Sequence, residues 1–423
     1  MNKEKKEKVC VINLGCVRNL VDAQEITGRL VRDGHSIVDL EQAESVILNT
    51  CSFIEDAKKE SIDAILDLIE LKRQGKIKKV VVAGCLAERY AEILPKEFNE
   101  LDALIGVPEF KKDTVPPYVY LTPSHYAYVK ICESCYNHCN FCAIPKIKGR
   151  FASRAIEAVV GEMKALDEKG VKEVMIIGQD ITAYGMDLYH ELSLVELLKE
   201  ILKATKNIEW MRLLYTYPAH VTDELIDLMA KEERLCKYID LPLQHISDNL
   251  LESMNRNITT QQTRELIAKI RSRMPQGCLR TTFIVGLPGE TEENFAEMVD
   301  FVREVKFEKL GVLSYSREED TKAFNMKDQV PRSTKEKRFK VLMEEQKKIS
   351  QEIQESLLGT PQKVLIDEKD SEQKDVYLGR TELDAPDVDG VVFVHSRKAL
   401  KPGDFVKVKI TDTLEYDLVG EEQ

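Results

Sequence analysis

Short apolar runs alternate with amphipathic stretches over the first quarter of the chain. Residues 22–32 and 54–72 place apolar side chains at helical spacing, between runs of strand length. Alternating strands and helices are typical of a mostly parallel sheet, in which the carboxyl ends of the strands share one edge. We therefore predict an N-terminal α/β domain over residues 1–113. Its predicted strands are 9–14, 45–49 and 79–83.

The alternation continues through the centre of the chain, after a break at Pro116 and Pro117. Six strand–helix repeats follow, with helices such as 155–169 and 292–305. Six repeats predict an open (βα)6 barrel over residues 114–352, with its site on the face where the loops after the strands gather. The predicted strands are 126–131, 173–178, 211–215, 238–241, 281–285 and 310–315.

The last part of the chain changes to strand spacing alone. A long amphipathic helix, 335–358, ends at a Gly-Thr-Pro sequence, and five short alternating runs follow it. This pattern predicts a small antiparallel β-barrel over residues 353–423. The fold class is therefore α/β, with a parallel α/β domain, a partial barrel and a small β-barrel in that order. The predicted strands of the last domain are 363–366, 375–381, 390–394, 405–411 and 417–419.

Composition narrows the class of protein. The 423 residues carry a net charge of -12, which argues against an electrostatic binder of nucleic acid. No apolar run reaches the roughly 20 residues that span a bilayer, and the charged start MNKEKKEKVC has no signal-peptide core. We expect a cytoplasmic protein without membrane contact. Its ten cysteines then indicate metal or redox chemistry rather than disulfides.

Three of these cysteines follow the first predicted barrel strand at the spacing Cys-x3-Cys-x2-Cys. Cys135, Cys139 and Cys142 leave a four-point site one ligand short, whereas structural zinc sites are closed by four ligands and iron–sulfur clusters usually have four thiolates. An iron without a protein ligand can bind a substrate. The alternative is a closed zinc loop with Cys132 as its fourth ligand. We instead predict Cys132 as the last residue of that strand, on one face with Tyr126, Tyr128 and Lys130.

A second set of cysteines lies in the N-terminal domain, where Cys16, Cys51 and Cys85 each follow a predicted strand directly. Because parallel strands end at one edge of a sheet, these three thiols should meet in space. The alternative is three unrelated core cysteines, since single unpaired cysteines are often buried. The remaining cysteines lack companions at ligand spacing and are expected to pack in the core: Cys10, Cys236 and Cys278.

Several stretches resemble known families. The cysteine loop, with Phe141 before its last cysteine, resembles the signature of the radical S-adenosylmethionine (SAM) superfamily. LGCVRNLVDAQ and NTCSFIEDAKKESID resemble the N-terminal domain of the methylthiotransferases, in the RimO branch rather than the tRNA-modifying MiaB branch, and GRTELDAPDVDG resembles the TRAM domain of that branch. The chain departs from the family pattern at Ala23-Gln24, where Ser-Glu is usual, and at Cys132, Ser134 and Asp320, where a small residue or Gly is usual.

The resemblance implies two 4Fe–4S clusters and SAM as cofactors. Cys135, Cys139 and Cys142 would hold the cluster whose open iron binds the amino and carboxylate groups of SAM. Cys16, Cys51 and Cys85 would hold the second cluster, which presents the sulfur. No catalytic residue is assigned beyond these ligands. The loops after the second, fourth and fifth barrel strands would line the SAM pocket with Gln179, Asp180, Gln244, Gly286 and Glu290.

The activity that the resemblance implies is methylthiolation of the β-carbon of an aspartate in small-subunit ribosomal protein uS12. An external electron donor would start the cleavage of SAM to a 5′-deoxyadenosyl radical, which removes the hydrogen. The resemblance implies a monomer whose contact with nucleic acid is at most indirect, through the ribosome. The alternatives are a tRNA (adenosine) methylthiotransferase and, outside the enzymes, a zinc-stabilised or iron–sulfur electron-carrier protein.

The charge of the last domain bears on the substrate. Residues 355–423 hold 16 acidic and 9 basic residues, a formal charge of -7, which repels phosphate and attracts a basic protein. We expect Asp384, Asp387 and Asp389 to face such a substrate. The alternative is that these aspartates stabilise turns of the DAPDVDG stretch.

Overall fold

The structure is a computed structural model that describes residues 6–423, so the first five residues of the charged start lie outside it. The chain divides into two compact units. The first unit comprises the chain up to Leu121 with Lys130–Gly161 and Ser316–Phe324; the second comprises Thr122–Val129, Glu162–Tyr315 and Asn325–Gln423. Among residues 6–423, no helix combines the length and the apolarity needed to cross a membrane.

The N-terminal part of the first unit is a five-stranded sheet in the order β2-β1-β3-β4-β5, with all pairings parallel. Buried valines, leucines and isoleucines from both faces of its strands pack against the helices, as the alternating pattern predicted. The elements are β1 (Lys8–Asn13), α1 (Val17–Arg32), β2 (Ser36–Ile37), β3 (Ser45–Thr50), α2 (Glu55–Arg73), β4 (Lys79–Gly84), α3 (Cys85–Arg89), α4 (Leu94–Glu97) and β5 (Ala103–Ile105).

The central elements form a six-stranded sheet in the order β13-β12-β11-β10-β9-β6, whose pairings from β9 to β13 are parallel. The predicted α/β class and open strand order are confirmed. The elements are β6 (Tyr126–Lys130), β7 (Cys132–Glu133), α5 (Ile144–Ile147), β8 (Ala152–Ser153), α6 (Ile156–Glu168), β9 (Glu173–Ile177), α7 (Leu194–Ala204), β10 (Trp210–Leu213), α8 (Asp223–Lys231), β11 (Leu235–Asp240), α9 (Asp248–Ser253), α10 (Thr260–Arg273), β12 (Cys278–Val285), α11 (Glu292–Val305), β13 (Lys309–Ser314) and α12 (Arg332–Ser356).

The C-terminal strands close into a five-stranded barrel in the order β14-β15-β16-β18-β17, around a core of buried valines, isoleucines and a leucine. The predicted barrel is confirmed, but it is not wholly antiparallel, because β16 and β18 pair in parallel. A parallel pairing between strands distant in sequence leaves no local sequence signal. The elements are β14 (Pro361–Lys369), β15 (Val376–Thr381), β16 (Val392–His395), β17 (Phe405–Thr413) and β18 (Leu418–Glu422).

Residues 379–390, which we call the 379–390 segment, contact side chains from all six strands of the six-stranded sheet. The contacts, all within the second unit, are Tyr128 to Asp387 (3.4 Å, β6), Glu173 to Arg380 (2.7 Å, β9), Arg212 to the Glu382 carbonyl (2.6 Å, β10), Tyr238 to Asp389 (2.7 Å, β11), Arg280 to Asp389 (3.6 Å, β12) and Lys309 to Asp384 (2.6 Å, β13).

The expectation that Asp384, Asp387 and Asp389 together face a substrate is therefore wrong for two of them. The Asp384 and Asp389 side chains are only 9% and 3% exposed, and only Asp387 is exposed. Burial alone would raise the pKa of Asp384, but the ammonium of Lys309 and the Thr381 hydroxyl hold it below its usual range. Counting charges along the chain missed their partners, which lie far away in sequence.

The same segment takes part in a fully buried charge cluster that gives a stability prediction. Glu173 lies between Arg212 and Arg380, with all three side chains at most 3% exposed. Glu173→Gln should lower the free energy of unfolding by about 3–5 kcal/mol, because it leaves the buried guanidinium of Arg212 without its carboxylate partner, whereas Arg380 keeps its ion pair with Asp367. Urea unfolding measures this change. The control is Lys203→Ala, at an exposed ion pair with Glu200, and equal unfolding curves for both variants would contradict the prediction.

Candidate functional site

The N-terminal cysteine set, Cys16, Cys51 and Cys85, lies at one edge of the parallel sheet in the first unit. These residues follow β1, β3 and β4, which are neighbours in the sheet. Gly15 has φ +84° and lies close to the residue that follows β3. A Cβ on Gly15 would lie 2.6 Å from the Cβ of Cys51. The structure thus places the three cysteines after neighbouring strands of one sheet, and their role as ligands of one cluster stays a prediction.

Asn19, in the first turn of α1, forms hydrogen bonds with residues at this edge of the sheet. Its amide nitrogen donates to the Thr50 carbonyl (2.9 Å) and to the Leu14 carbonyl (3.1 Å), and its amide oxygen accepts from the thiol of Cys85 (3.5 Å). The side chain is 1% exposed. One buried amide therefore links the ends of three strands, and the relative positions of the thiols depend on it.

The thiols of this set differ in acidity. Burial raises the pKa of Cys51, and it raises that of Cys85 to about 12 against the opposing charge of Lys148. Burial acts in the same direction on Cys16, but the guanidinium of Arg18 and nearby backbone N–H groups outweigh it and lower the pKa. Since metals bind the thiolate form, a cluster assembling here would displace protons from Cys51 and Cys85.

The loop cysteine set, Cys135, Cys139 and Cys142, lies between β7 and α5, also in the first unit. All three residues are partly buried, and the Cys142 N–H donates to the Cys139 carbonyl at 3.1 Å. Burial raises the pKa of Cys142 to about 12. Ser134 adopts φ +59°, a conformation that favours glycine, and its hydroxyl donates to the Gly149 carbonyl at 2.7 Å. The departure from Gly at this position therefore keeps the backbone turn.

Two features of this unit were not found from the sequence. The first is the positive charge of Arg18. Although burial raises the pKa of Cys51 and Cys142, the Arg18 guanidinium acts in the opposite direction on both thiols, as it does on Cys16. One cation therefore acts electrostatically on members of both cysteine sets. Its position two residues after Cys16 gave no sign that its charge would act on the loop cysteine set.

The second feature is a buried charge cluster of Asp22, Lys130, Glu133 and Lys148, whose side chains are at most 4% exposed. The Lys130 ammonium donates to both carboxylates, and Lys148 donates to Asp22 at 2.7 Å. Asp22 lies on α1, which begins after Cys16, while Glu133 and Lys148 flank the loop cysteine set. The cluster thus joins the segments that carry the two sets. One feature of the sequence could have indicated this cluster, namely the charged Lys130 inside the apolar run YAYVKIC.

Cys132 does not lie where it was predicted. The first barrel strand ends at Lys130, and Cys132 belongs to the separate short strand β7, where it pairs with Ser153. It is fully buried. Over residues 6–423, no group of three or more His, Cys, Asp or Glu side chains is arranged to hold a metal ion, and this applies to both cysteine sets as well as to the loop cysteines with Cys132. The role of Cys132 therefore stays a prediction, which iron analysis tests.

Cys132→Ser should retain the full iron content, because a buried side chain in a paired strand need not serve as a ligand. Iron analysis after anaerobic reconstitution measures this outcome. Cys142→Ser is the matched comparison and should lose iron. A Cys132→Ser protein that folds but has lost half of its iron would make Cys132 a ligand.

The predicted SAM-pocket residues lie in the second unit, in loops that follow β9, β11 and β12. Two of them are carboxylates already engaged by protein groups. Asp180 is buried, accepts from the backbone N–H groups of Thr182 and Ala183, and lies 2.9 Å from Nδ1 of His220. Glu290 accepts from the Gly286 N–H at 2.9 Å and pairs with Arg338 at 2.5 Å. These side chains can shape the loops on which they lie.

Gln244 differs from those carboxylates. It adopts φ +70°, which is strained for a residue other than glycine, and its amide oxygen is buried without a hydrogen-bond partner among the described residues. Gly286 has φ +77°, and a Cβ there would lie 2.3 Å from a side-chain carbon of Lys335. Gln179, beside Asp180, is partly buried. The buried amide oxygen of Gln244 can accept a hydrogen bond from a ligand such as SAM.

Comparison with known proteins extends this description. Profiles of three families match the chain: uncharacterized protein family UPF0004 at residues 8–106, the radical SAM superfamily at 129–302 and the TRAM domain at 358–422. The radical SAM methyltransferase TsrM of Kitasatospora setae, solved with cobalamin and a 4Fe–4S cluster, has a TM-score of 0.57 at 17% identity, over 85% of this chain and 81% of that one. At that identity the likeness shows the fold alone.

Relatives of similar length are much more alike in sequence. The ribosomal protein uS12 methylthiotransferases RimO of Thermoanaerobacter sp. and Caldanaerobacter subterraneus are 45% and 46% identical to this chain. Each alignment covers 98% of this chain, with 100% and 99% of the respective relative. The chain therefore belongs to the RimO family of ribosomal protein uS12 methylthiotransferases, radical SAM enzymes that use SAM and 4Fe–4S clusters.

Proposed function

We propose that this protein transfers a methylthio group to the β-carbon of an aspartate in ribosomal protein uS12. The loop cysteine set would hold one 4Fe–4S cluster and the N-terminal cysteine set a second. The observation that carries the proposal is the presence of two separate sets of three cysteines in one compact unit, in a chain of this family. Three thiolates leave one iron of a four-iron cluster open to another ligand.

The bound cofactors would supply a 5′-deoxyadenosyl radical, which can remove hydrogen from a carbon that no side-chain base deprotonates readily. The protein contributes binding, orientation and charge. Thiolate-bound clusters are anionic, so the cations Arg18 and Lys148, whose charges act on thiols of the two sets, would stabilise the loaded form. The carboxylate of Asp22 holds Lys148 in place. Asn19 would keep the ends of β1, β3 and β4 at a fixed spacing.

The SAM pocket is proposed to include Gln179, Asp180, Gln244, Gly286 and Glu290. Gln244 would accept a hydrogen bond from SAM through its buried amide oxygen. Asp180 and Glu290 would act by fixing the turns on which they lie, since their oxygens accept from protein donors. Gly286 would allow the chain to turn into the helix begun after Glu290 without a side chain in that turn.

The proposed substrate fits the charge of the protein better than RNA does. Within the C-terminal barrel, several exposed acids remain after Asp384 and Asp389 are excluded: Glu368, Glu372, Asp375 and Asp412. Complementary charge would speed encounter with a basic ribosomal protein, and salt would screen it over a Debye length of about 8 Å at 0.15 M. Contact with nucleic acid would then be at most indirect, through the ribosome.

The remaining parts of the proposal concern organisation. We propose three domains that divide the work: residues 1–113 for the second cluster, 114–352 for the radical SAM core and 353–423 for the TRAM-like barrel. The protein would act as a monomer in the cytoplasm and receive electrons from an external donor. The family profiles that match 8–106, 129–302 and 358–422 support this division.

Iron and sulfide analysis combined with a SAM-cleavage assay tests the class of protein. Anaerobic reconstitution should give about eight irons per chain, with 5′-deoxyadenosine formed when SAM and a reductant are added. A zinc-stabilised protein would bind no iron, and an iron–sulfur electron carrier would bind iron without cleaving SAM. Either result would overturn the proposal.

A further inference from the structure

A continuous line of polar contacts runs through the six-stranded sheet of the second unit, starting at the 379–390 segment. One carboxylate oxygen of Asp389 accepts from the hydroxyl of Tyr238 at 2.7 Å, and the other lies 3.6 Å from Nε of Arg280. Tyr238 is fully buried and the Arg280 side chain is 19% exposed. Asp389 therefore holds side chains of two neighbouring strands, β11 and β12.

The line continues from Arg280 to Asp240, the last residue of β11. A guanidinium nitrogen of Arg280 donates to one Asp240 oxygen at 2.9 Å, and the other oxygen accepts from the backbone N–H of Tyr215 at 2.8 Å. The Asp240 carbonyl also accepts from the Thr216 hydroxyl at 2.6 Å. Asp240 is 1% exposed. It thereby fixes the loop that follows β10.

The loop after β10 is strained and is joined to a predicted SAM-pocket loop. Tyr215 adopts φ +66°, a region that residues other than glycine occupy only when their surroundings impose it. Its carbonyl accepts from the Ile181 N–H at 3.1 Å, and the Thr182 hydroxyl accepts from the Tyr217 N–H at 3.0 Å. Thr182 in turn donates to Asp180 at 2.5 Å.

We propose that Asp240 and Arg280 are positioning residues for the SAM pocket, and that Asp389 of the C-terminal barrel supports them. The carboxylate of Asp240 offsets the strain at Tyr215, and Arg280 keeps that carboxylate oriented. The loop that carries Gln179 and Asp180 then depends on a contact made by the 379–390 segment at the opposite end of the line. This inference rests on the proposed function for the identity of the ligand as SAM.

The test compares Asp389→Asn and Asp240→Asn with a matched control, Asp384→Asn. Asp384 belongs to the same segment and loses an equivalent contact, to Lys309 of β13, but it lies off the line to Tyr215. The probe is S-adenosylhomocysteine, titrated calorimetrically into the reconstituted holoenzyme. Both variants on the line should weaken binding on the order of tenfold, as expected for losing one charge-assisted hydrogen bond. The control should bind normally with unchanged iron content.

Hydrogen–deuterium exchange gives a second readout that needs no cofactor chemistry. Residues 214–217 and 180–183 should exchange faster in Asp389→Asn and Asp240→Asn than in Asp384→Asn. The double variant should lose less affinity than the sum of the single losses, because both changes break one line. Normal affinity and normal exchange in a folded Asp389→Asn protein would overturn the inference. Wild-type enzyme that neither binds the probe nor cleaves SAM would instead refute the proposed function, and the exchange comparison would still decide the positioning role.

Discussion

Replacing Cys135, Cys139 and Cys142 together with alanine is expected to halve the iron content and abolish SAM cleavage. Only the cluster on this set is proposed to bind SAM, so its loss removes the source of the radical. The other cluster should persist, because its proposed thiols follow the strands of a different sheet. Iron analysis and 5′-deoxyadenosine formation under anaerobic conditions measure the two effects in one preparation.

The matched control replaces the three cysteines that lack companions, Cys10, Cys236 and Cys278. These residues are buried in the core, and their alanine variants should keep all of the iron and cleave SAM. Loss of all iron from the loop variant, in protein that still folds, would contradict independent sites. SAM cleavage that remains in the loop variant, once its other cluster has been reconstituted, would show that another site binds SAM.

The second large effect concerns the N-terminal cysteine set. Alanine at Cys16, Cys51 and Cys85 should also halve the iron, but it should leave SAM cleavage measurable while no methylthiolated product forms. The reason is that this set is proposed to present the sulfur and has no part in generating the radical. Product analysis by mass spectrometry, beside the 5′-deoxyadenosine assay, separates the two activities.

Asn19→Ala is the matched comparison for this experiment. It removes the amide that links the strand ends but leaves every thiol in place. Its iron content should lie between those of wild type and the triple variant. A triple variant that forms methylthiolated product at the normal rate would show that the sulfur is not presented by this set.

Much of the fold followed from local patterns. The alternation of strand and helix predicted both parallel sheets, and Cys16, Cys51 and Cys85 follow neighbouring strands of one sheet, as predicted. Element boundaries were less exact: α1 begins at Val17, five residues before its predicted start. The usual start signal is missing there, because a cysteine, Cys16, occupies the cap position instead of Ser, Thr, Asp or Asn.

What the sequence did not reveal are contacts between charged groups distant along the chain. Lys130 pairs with Asp22 across 108 positions, and Lys309 pairs with Asp384 across 75. Because the partners in each pair are far apart in sequence, no short-range spacing indicates either pair. In the sequence these residues therefore resemble ordinary surface charges. The same reason explains why Asp384 and Asp389 were expected at the surface. Buried ion pairs depend on tertiary geometry, which hydrophobic periodicity does not encode.

The most direct test of the account is mass spectrometry of substrates after a single anaerobic turnover reaction. Reconstituted enzyme, SAM and a reductant would be mixed with purified uS12 and with tRNA together. The account predicts that one aspartate of uS12 gains a methylthio group in place of one hydrogen, while the tRNA is unchanged. Methylthiolated tRNA beside unmodified uS12 would contradict it.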